Sequence, residues 1–173
     1  MTKLDPRRHP FRSDLAGESL RGLVDAKRFT EGYRRQVSAS SLPLRRAPRT
    51  DANLDTEVLY GETLVVFDEA DGWAWVQLDH DGYVGYVPGH GLRDLGAPAT
   101  HRVTVLRTYV FPEPDAKVPP VRMLSLNARV TVADKGERYA RLNNGGFIYT
   151  SHLSGIAQHD PDYVTIAERF LGA

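Results

Sequence analysis

Between Val37 and Ile156 the sequence breaks into short blocks of Val, Leu, Tyr, Phe and Trp, separated at close intervals by turn residues. The separators include Glu69-Ala70-Asp71-Gly72, Asp79-His80-Asp81-Gly82 and Asn143-Asn144-Gly145-Gly146. Such blocks have the length and composition of strands, and no helical pattern alternates with them, so a βαβ architecture is excluded. Asp81-Gly82 and Asn144-Gly145 each lie between two blocks, where a tight hairpin demands positive φ and these residue types supply it. The fold class that follows is all-β with short flanking helices.

Within this region the scaffold positions recur. Val58 to Phe67 aligns with Met123 to Val132, and Gly85-Tyr86-Val87-Pro88-Gly89-His90-Gly91-Leu92 aligns without a gap on Gly146-Phe147-Ile148-Tyr149-Thr150-Ser151-His152-Leu153. Two units of about 60 residues are expected, over 37–96 and 97–157. Residues 1–36 form an N-terminal arm. Leu20, Leu23, Val24 and Lys27 recur there at helical spacing, which predicts a helix near 18–30. Residues 158–173 predict a second helix, with Asp160 as N-cap, Pro161 in the first turn, Gly172 as the left-handed stop and Tyr163, Ile166, Ala167 and Phe170 on one face.

Of 173 residues, 41% are hydrophobic and 25% charged, a balance that excludes a wholly disordered chain. Lys and Arg stand nine against five Asp and Glu in 1–36, four against ten in 37–96, eight against four in 97–157 and one against three in 158–173. No block is basic enough, or interleaved with aromatics in the right way, for nucleic acid. No apolar run is long enough for a membrane helix, and the opening residues lack the apolar core of a secretory signal. A cytoplasmic protein is expected, or an exported one if an upstream signal is missing. There is no cysteine. That removes disulfides, thiolate metal sites and a cysteine nucleophile together.

The six histidines, His9, His80, His90, His101, His152 and His159, show no helical i, i+4 pair and no His-Glu-x-x-His. No metal and no cofactor is expected, and no glycine-rich nucleotide fingerprint occurs. Pro112, Pro114, Pro119 and Pro120 stiffen a long connection.

The order Leu44-Arg45-Arg46-Ala47-Pro48, Leu59-Tyr60-Gly61-Glu62, Gly72-Trp73-Ala74-Trp75-Val76 and Gly82-Tyr83-Val84-Gly85-Tyr86-Val87-Pro88 resembles bacterial SH3 (SH3b) domains, small β-barrels of cell-wall proteins. The first element departs from the family pattern by one position. The second repeat resembles a degenerate copy, with Tyr139 where the first has Trp75. The whole layout, an arm, tandem SH3b barrels and a closing helix, is similar to the non-catalytic region of NlpC/P60 peptidoglycan endopeptidases of the γ-D-glutamyl-L-diamino acid type. In that family the closing helix opens a papain-like domain bearing the catalytic cysteine and histidine. The resemblance therefore implies a non-enzymatic, substrate-recognising portion that works with such a catalytic domain in cis or in trans, on peptidoglycan-derived peptides.

The resemblance also implies that a free L-Ala amine is recognised by an acidic residue and a tyrosine, which fall here on Asp55 and Tyr83. An ammonium drawn into a pocket does need a counter-charge and an acceptor oxygen. The alternatives are a turn residue for Asp55 and a half-buried strand aromatic for Tyr83. Trp73 and Tyr86 could add an aromatic surface, with Trp73 and Trp75 on one side of a strand and at least one of them in the core. The remaining alternative is a stand-alone SH3 module that binds wall or a protein, with no link to a peptidase.

Overall fold

The structure, a computed structural model, describes residues 4–159 and 162–172. It divides into two compact units between Gly96 and Ala97. The class is all-β, with one short α-helix among the described residues.

In the first unit the strands are β1 (Leu15–Gly17), β2 (Arg28–Thr30), β3 (Tyr33–Val37), β4 (Ser41–Arg45), β5 (Leu54–Leu59), β6 (Thr63–Ala70), β7 (Trp73–Leu78), β8 (Val84–Pro88) and β9 (Leu92–Asp94). Seven of them form one sheet in the order β5-β4-β8-β7-β6-β3-β9, and β1 and β2 form a parallel pair beside it. Among the described residues no pairing joins β5 to β9, so the hydrogen bonds give an open sheet and not the closed ring expected of a barrel. β3 spans the division expected at residues 36 and 37, since it pairs with both β6 and β9.

Strand alternation sets the core. Leu64 and Val66 of β6, Ala74, Val76 and Leu78 of β7, and Val87 of β8 point to one side and are buried with Leu42, Leu44 and Val58. The opposite side of β7 and β8 is also covered. Trp75 and Val84 are buried there beneath Leu15, with Phe67 and Tyr86 against them. Phe67 falls on this face by alternation from Val66, and the β-bulge between Val66 and Asp68 pairs Asp68 with Trp75 there.

The cover is the N-terminal segment, and it is not the expected helix. Residues 18–30 contain a single 3₁₀ turn, Glu18–Leu20, and then β2. Gly22 has φ +80°, which ends helical geometry four residues after Glu18. The predicted stripe is also not one face: Leu20 is buried while Leu23 is 69% exposed. Tertiary burial of Leu15, Ala16 and Leu20 has overridden the helical spacing.

The second unit comprises β10 (His101–Val103), β11 (Arg107–Val110), β12 (Arg122–Ser125), β13 (Arg129–Val130), β14 (Val132–Lys135), β15 (Tyr139–Leu142), β16 (Phe147–Tyr149), β17 (Leu153–Gly155) and the helix α1 (Tyr163–Glu168). β10 pairs with β13 and β17 as β3 does with β6 and β9, and β14-β15-β16 repeats β6-β7-β8. The repeat is displaced by one residue from the alignment expected over its first half. Gly61 and Asn127 both adopt positive φ, and their N–H groups donate to the equivalent carbonyls of Val37 and Val103 at 3.0 and 2.9 Å. Val58 thus corresponds to buried Leu124, and Met123 is 42% exposed. Tyr139 pairs with Tyr149 as Trp73 pairs with Pro88, so it stands in the place of Trp73 and not of Trp75.

α1 is shorter than predicted. The caps expected at Asp160 and Pro161 lie outside the described residues, and Asp162 accepts the Val164 N–H at 2.9 Å as N-cap. Gly172 has φ +79°, the conformation of a left-handed stop.

Candidate functional site

A cavity of about 390 Å³ opens on the outer face of the first unit, where the N-terminal segment crosses β5, β7 and β8. Trp75, Val84 and Tyr86 line it from the sheet, Asp55 from β5, and Arg7 and Phe11 from the segment. Hydrogen bonds to backbone carbonyls hold the segment in place. The Val84 N–H donates to the Arg7 carbonyl at 2.8 Å, Gln77 Nε2 to the Arg8 carbonyl at 2.9 Å, and Arg8 Nη1 to the Asp81 carbonyl at 3.0 Å.

Asp55 owes its position to a bulge. Leu44 pairs with Thr56 and Arg45 with Leu54, so Asp55 is the unpaired extra residue that re-aims its side chain. That side chain is 7% exposed. Arg46 Nε donates to Asp55 Oδ1 at 2.8 Å. Asp55 Oδ2 is buried and accepts no hydrogen bond among the described residues. A buried carboxylate oxygen without a donor is costly, and Asp55 is among the residues that line the cavity.

Tyr83 lies elsewhere. It is half-buried against the main core, its N–H donates to Asp81 Oδ1 at 3.0 Å, and the Arg8 guanidinium sits 5.1 Å above its ring. It is not among the residues lining the cavity. The structure therefore brings together Asp55 and Tyr86, with Trp75, and leaves Tyr83 at the margin. Arg7 lines the cavity, and its pKa is raised, chiefly by its hydrogen bonds to Asp5. The same bonds hold the Asp5 carboxyl down to about 2.

Trp73 and Tyr86 line a smaller cavity of about 150 Å³ with Pro48, Asp68 and Asp71. Arg12 borders both cavities. Its guanidinium lies 4.4 Å above the Trp75 ring, and Nη2 donates to Asp68 Oδ2 at 2.6 Å and to Asp14 Oδ2 at 2.8 Å. Burial alone would lower the Arg12 pKa; the bonds to Asp14, Asp68 and Tyr86 outweigh it and raise the pKa. Arg7, Phe11 and Arg12 were not legible as site residues, because nothing local in residues 5–12 signals which strand they cross.

In the second unit a cavity of about 220 Å³ lies between the Asn127 turn and α1, where Arg102 Nη1 donates to His159 Nδ1 at 2.9 Å. Among the described residues there is no group of three His, Asp or Glu placed to hold a metal, and no helix long and apolar enough to cross a membrane.

Residues 44–92, which run from β4 to the start of β9 and carry Asp55, Trp75 and Tyr86, match the family model of the bacterial dipeptidyl-peptidase Sh3 domain. This stretch has a bacterial SH3 fold. No curated protein matches the chain. Among solved structures, an NlpC/P60 family protein from Bacillus cereus ATCC 10987 is similar with a TM-score of 0.58 and 16% identity, over 71% of this chain and 56% of that one. NlpC2 and NlpC1 from Trichomonas vaginalis align at TM-scores of 0.31 and identities of 13% and 15%, over 70% and 79% of this chain. They are covered to 47% and 50% of their own lengths, so the chain spans about half of each structure it resembles. The likeness to the Bacillus cereus protein concerns the fold alone.

Proposed function

We propose that this chain is the non-catalytic, substrate-recognising portion of an NlpC/P60-type cell-wall peptide endopeptidase, acting in the cytoplasm on peptidoglycan-derived peptides with a free L-Ala end. The two units are tandem SH3b domains in this reading, and a papain-like catalytic domain in cis or in trans supplies the cysteine that the sequence lacks. The observation that carries it is the bare, buried Asp55 Oδ2 at the wall of an aromatic-lined cavity. An α-ammonium gives that oxygen its donor and its counter-charge, while Trp75 and Tyr86 exclude water around the short alanine side chain.

Binding to the chain alone is weak, because the catalytic domain completes the groove. Calorimetry with L-Ala-γ-D-Glu-diaminopimelate tests the reading. A charge-assisted bond contributes about 1.5–3 kcal/mol, so N-acetylation of the peptide, or Asp55→Asn, weakens binding by at least about tenfold. Equal heats for the free and acetylated peptides remove the amine site. Retention on insoluble peptidoglycan with no binding of small peptides points instead to a wall-binding module without a peptidase partner.

A further inference from the structure

In the second unit, the pairing of β10 with β17 sets Arg102 directly opposite Ser154. The equivalent positions in the first unit are Gln36 and Arg93, which face each other across β3 and β9 and satisfy one another. Arg93 donates to Gln36 Oε1 through Nε and Nη2 at 3.0 and 2.7 Å, and Gln36 Nε2 donates to the Gly61 carbonyl at 3.1 Å. The second unit's pair is not closed in this way. Arg102 Nε and Ser154 Oγ are both buried and have no hydrogen-bond partner among the described residues. Arg102 uses Nη1 alone, donating to His159 Nδ1 at 2.9 Å and to Asn127 Oδ1 at 3.4 Å. These two bonds hold the guanidinium, while the edge formed by Nε and Nη2 makes no hydrogen bond among the described residues.

Of the three arginines whose Nε is buried without a partner, Arg35, Arg45 and Arg102, only Arg102 lines one of the cavities described above, that of about 220 Å³ beside the Asn127 turn. Arg169, the other guanidinium on its wall, is exposed and follows the end of α1. Among the described residues no Asp or Glu lines this cavity, and Val103, Leu126, Tyr163 and Ile166 supply its apolar wall. A fixed cation with no carboxylate beside it calls for an anion, and a buried N–H without a partner calls for an acceptor. The Nε and Nη2 edge presents two parallel donors in one plane, which matches the two oxygens of a carboxylate. The cavity has about seven times the volume of a water molecule in the liquid, room for a carboxylate on a body of about six carbons. We infer that Arg102 anchors a second ligand site, which takes a small carboxylate with a compact apolar body. Nη2, the unburied donor, meets the first oxygen, and the second oxygen gives Nε its acceptor. The site stands apart from the Asp55 reading and requires neither an amine nor a peptide.

The test is a nitrogen-15 NMR titration of the full chain with benzoate, its neutral isostere benzamide, and inorganic phosphate, read at the Arg102 Nε–H and at the backbone amides of Leu126 and Asn127. Benzoate is expected to shift the Nε–H signal, and benzamide to bind at least about tenfold more weakly, the factor a charged hydrogen bond contributes. Arg102→Lys keeps the charge without the two-donor edge, and Arg102→Gln installs the residue that the first unit carries at this place. Both are expected to weaken benzoate by about tenfold or more. Should either variant fail to fold, the wild-type comparison of benzoate with benzamide still decides. No shift of the Nε–H with benzoate, equal binding of benzoate and benzamide, benzoate binding that survives in both variants, or tighter binding of phosphate than of benzoate each overturns the inference. None of these results bears on Asp55, whose test is the acetylated peptide.

Discussion

Replacing Arg12 with alanine should free the N-terminal segment without unfolding the sheet beneath it. The Arg12 side chain is 23% exposed and its Asp68 partner 32%, so this pair is partly shielded from solvent. Asp14, at 50%, is wet enough that its pair contributes little. A partly desolvated cation over Trp75 adds about 1–2 kcal/mol, and the Asp68 pair about 1 kcal/mol. The segment's docking thus weakens by about 2–3 kcal/mol, or about 30- to 150-fold in its opening equilibrium. None of this touches the main core of Leu44, Leu64 and Val76. Native-state amide exchange reads the effect residue by residue. The Val84 N–H donates to Arg7 of the segment, so its exchange should accelerate by that factor, while Val76 in the middle of β7 keeps its wild-type rate. Trp75 should redden in fluorescence as its cover lifts. If Val84 and Val76 accelerate together, segment and sheet are one cooperative unit; if neither changes, Arg12 is not the latch. Either result refutes the reasoning.

Gly85→Ala should destabilise the first unit, because the added Cβ would meet the Arg45 carbonyl oxygen at 2.8 Å and Leu44 Cγ at 2.9 Å, where β8 meets β4. A cost of about 2 kcal/mol lowers Tm by about 8–16 °C. Gly89→Ala, whose nearest neighbour is the Gly72 carbonyl oxygen at 3.4 Å, should stay within about 0.5 kcal/mol of wild type; equal melting curves for the two variants contradict this account. In the second unit, burial pushes His152 below its ordinary pKa, and burial with Lys135 does the same to His101. The unfolded chain then binds more protons than the folded one below about pH 6.5, so stability is full above that pH and falls as acid is added. His101→Gln combined with His152→Gln should flatten Tm between about pH 7 and pH 5.5, and an unchanged slope counts against it.

The turns were legible because their chemistry is local. Gly61, Gly72, Gly82, Gly145 and Gly146 all adopt positive φ, and each sits in a cluster that names itself in the sequence. The repeat was legible through its buried positions, but its register slipped by one where Asn127 does the left-handed work of Gly61, a substitution asparagine tolerates and a search for glycine misses. At least one of Trp73 and Trp75 was expected in the core from strand alternation, and Trp75 is buried. Its burial comes from Leu15, sixty positions earlier, which no local pattern announces. Asp55 was reached through the resemblance, but the bulge that leaves it unpaired is set by the partner strand's register and not by residues 51–55 themselves.

These observations bear on where specificity resides in the first unit. The family match begins at residue 44, yet Arg7, Phe11 and Arg12 supply one wall of the Asp55 cavity. The sheet alone provides Asp55, Trp75, Val84 and Tyr86, an acid beside an open aromatic face. Laid across that face, the N-terminal segment lines one side of the cavity with Arg7, Phe11 and Arg12, and apolar cover beside a carboxylate lowers the local dielectric. The strength of the Asp55 charge toward a cation therefore depends on residues 5–17 as much as on the β5 bulge. In the proposed reading, the same strands with a different leading segment would keep the fold while changing which end groups the cavity accepts. On this argument, exchanging residues 5–12 alters peptide preference, whereas changes on the opposite face of β7, at Ala74 or Val76, alter stability alone.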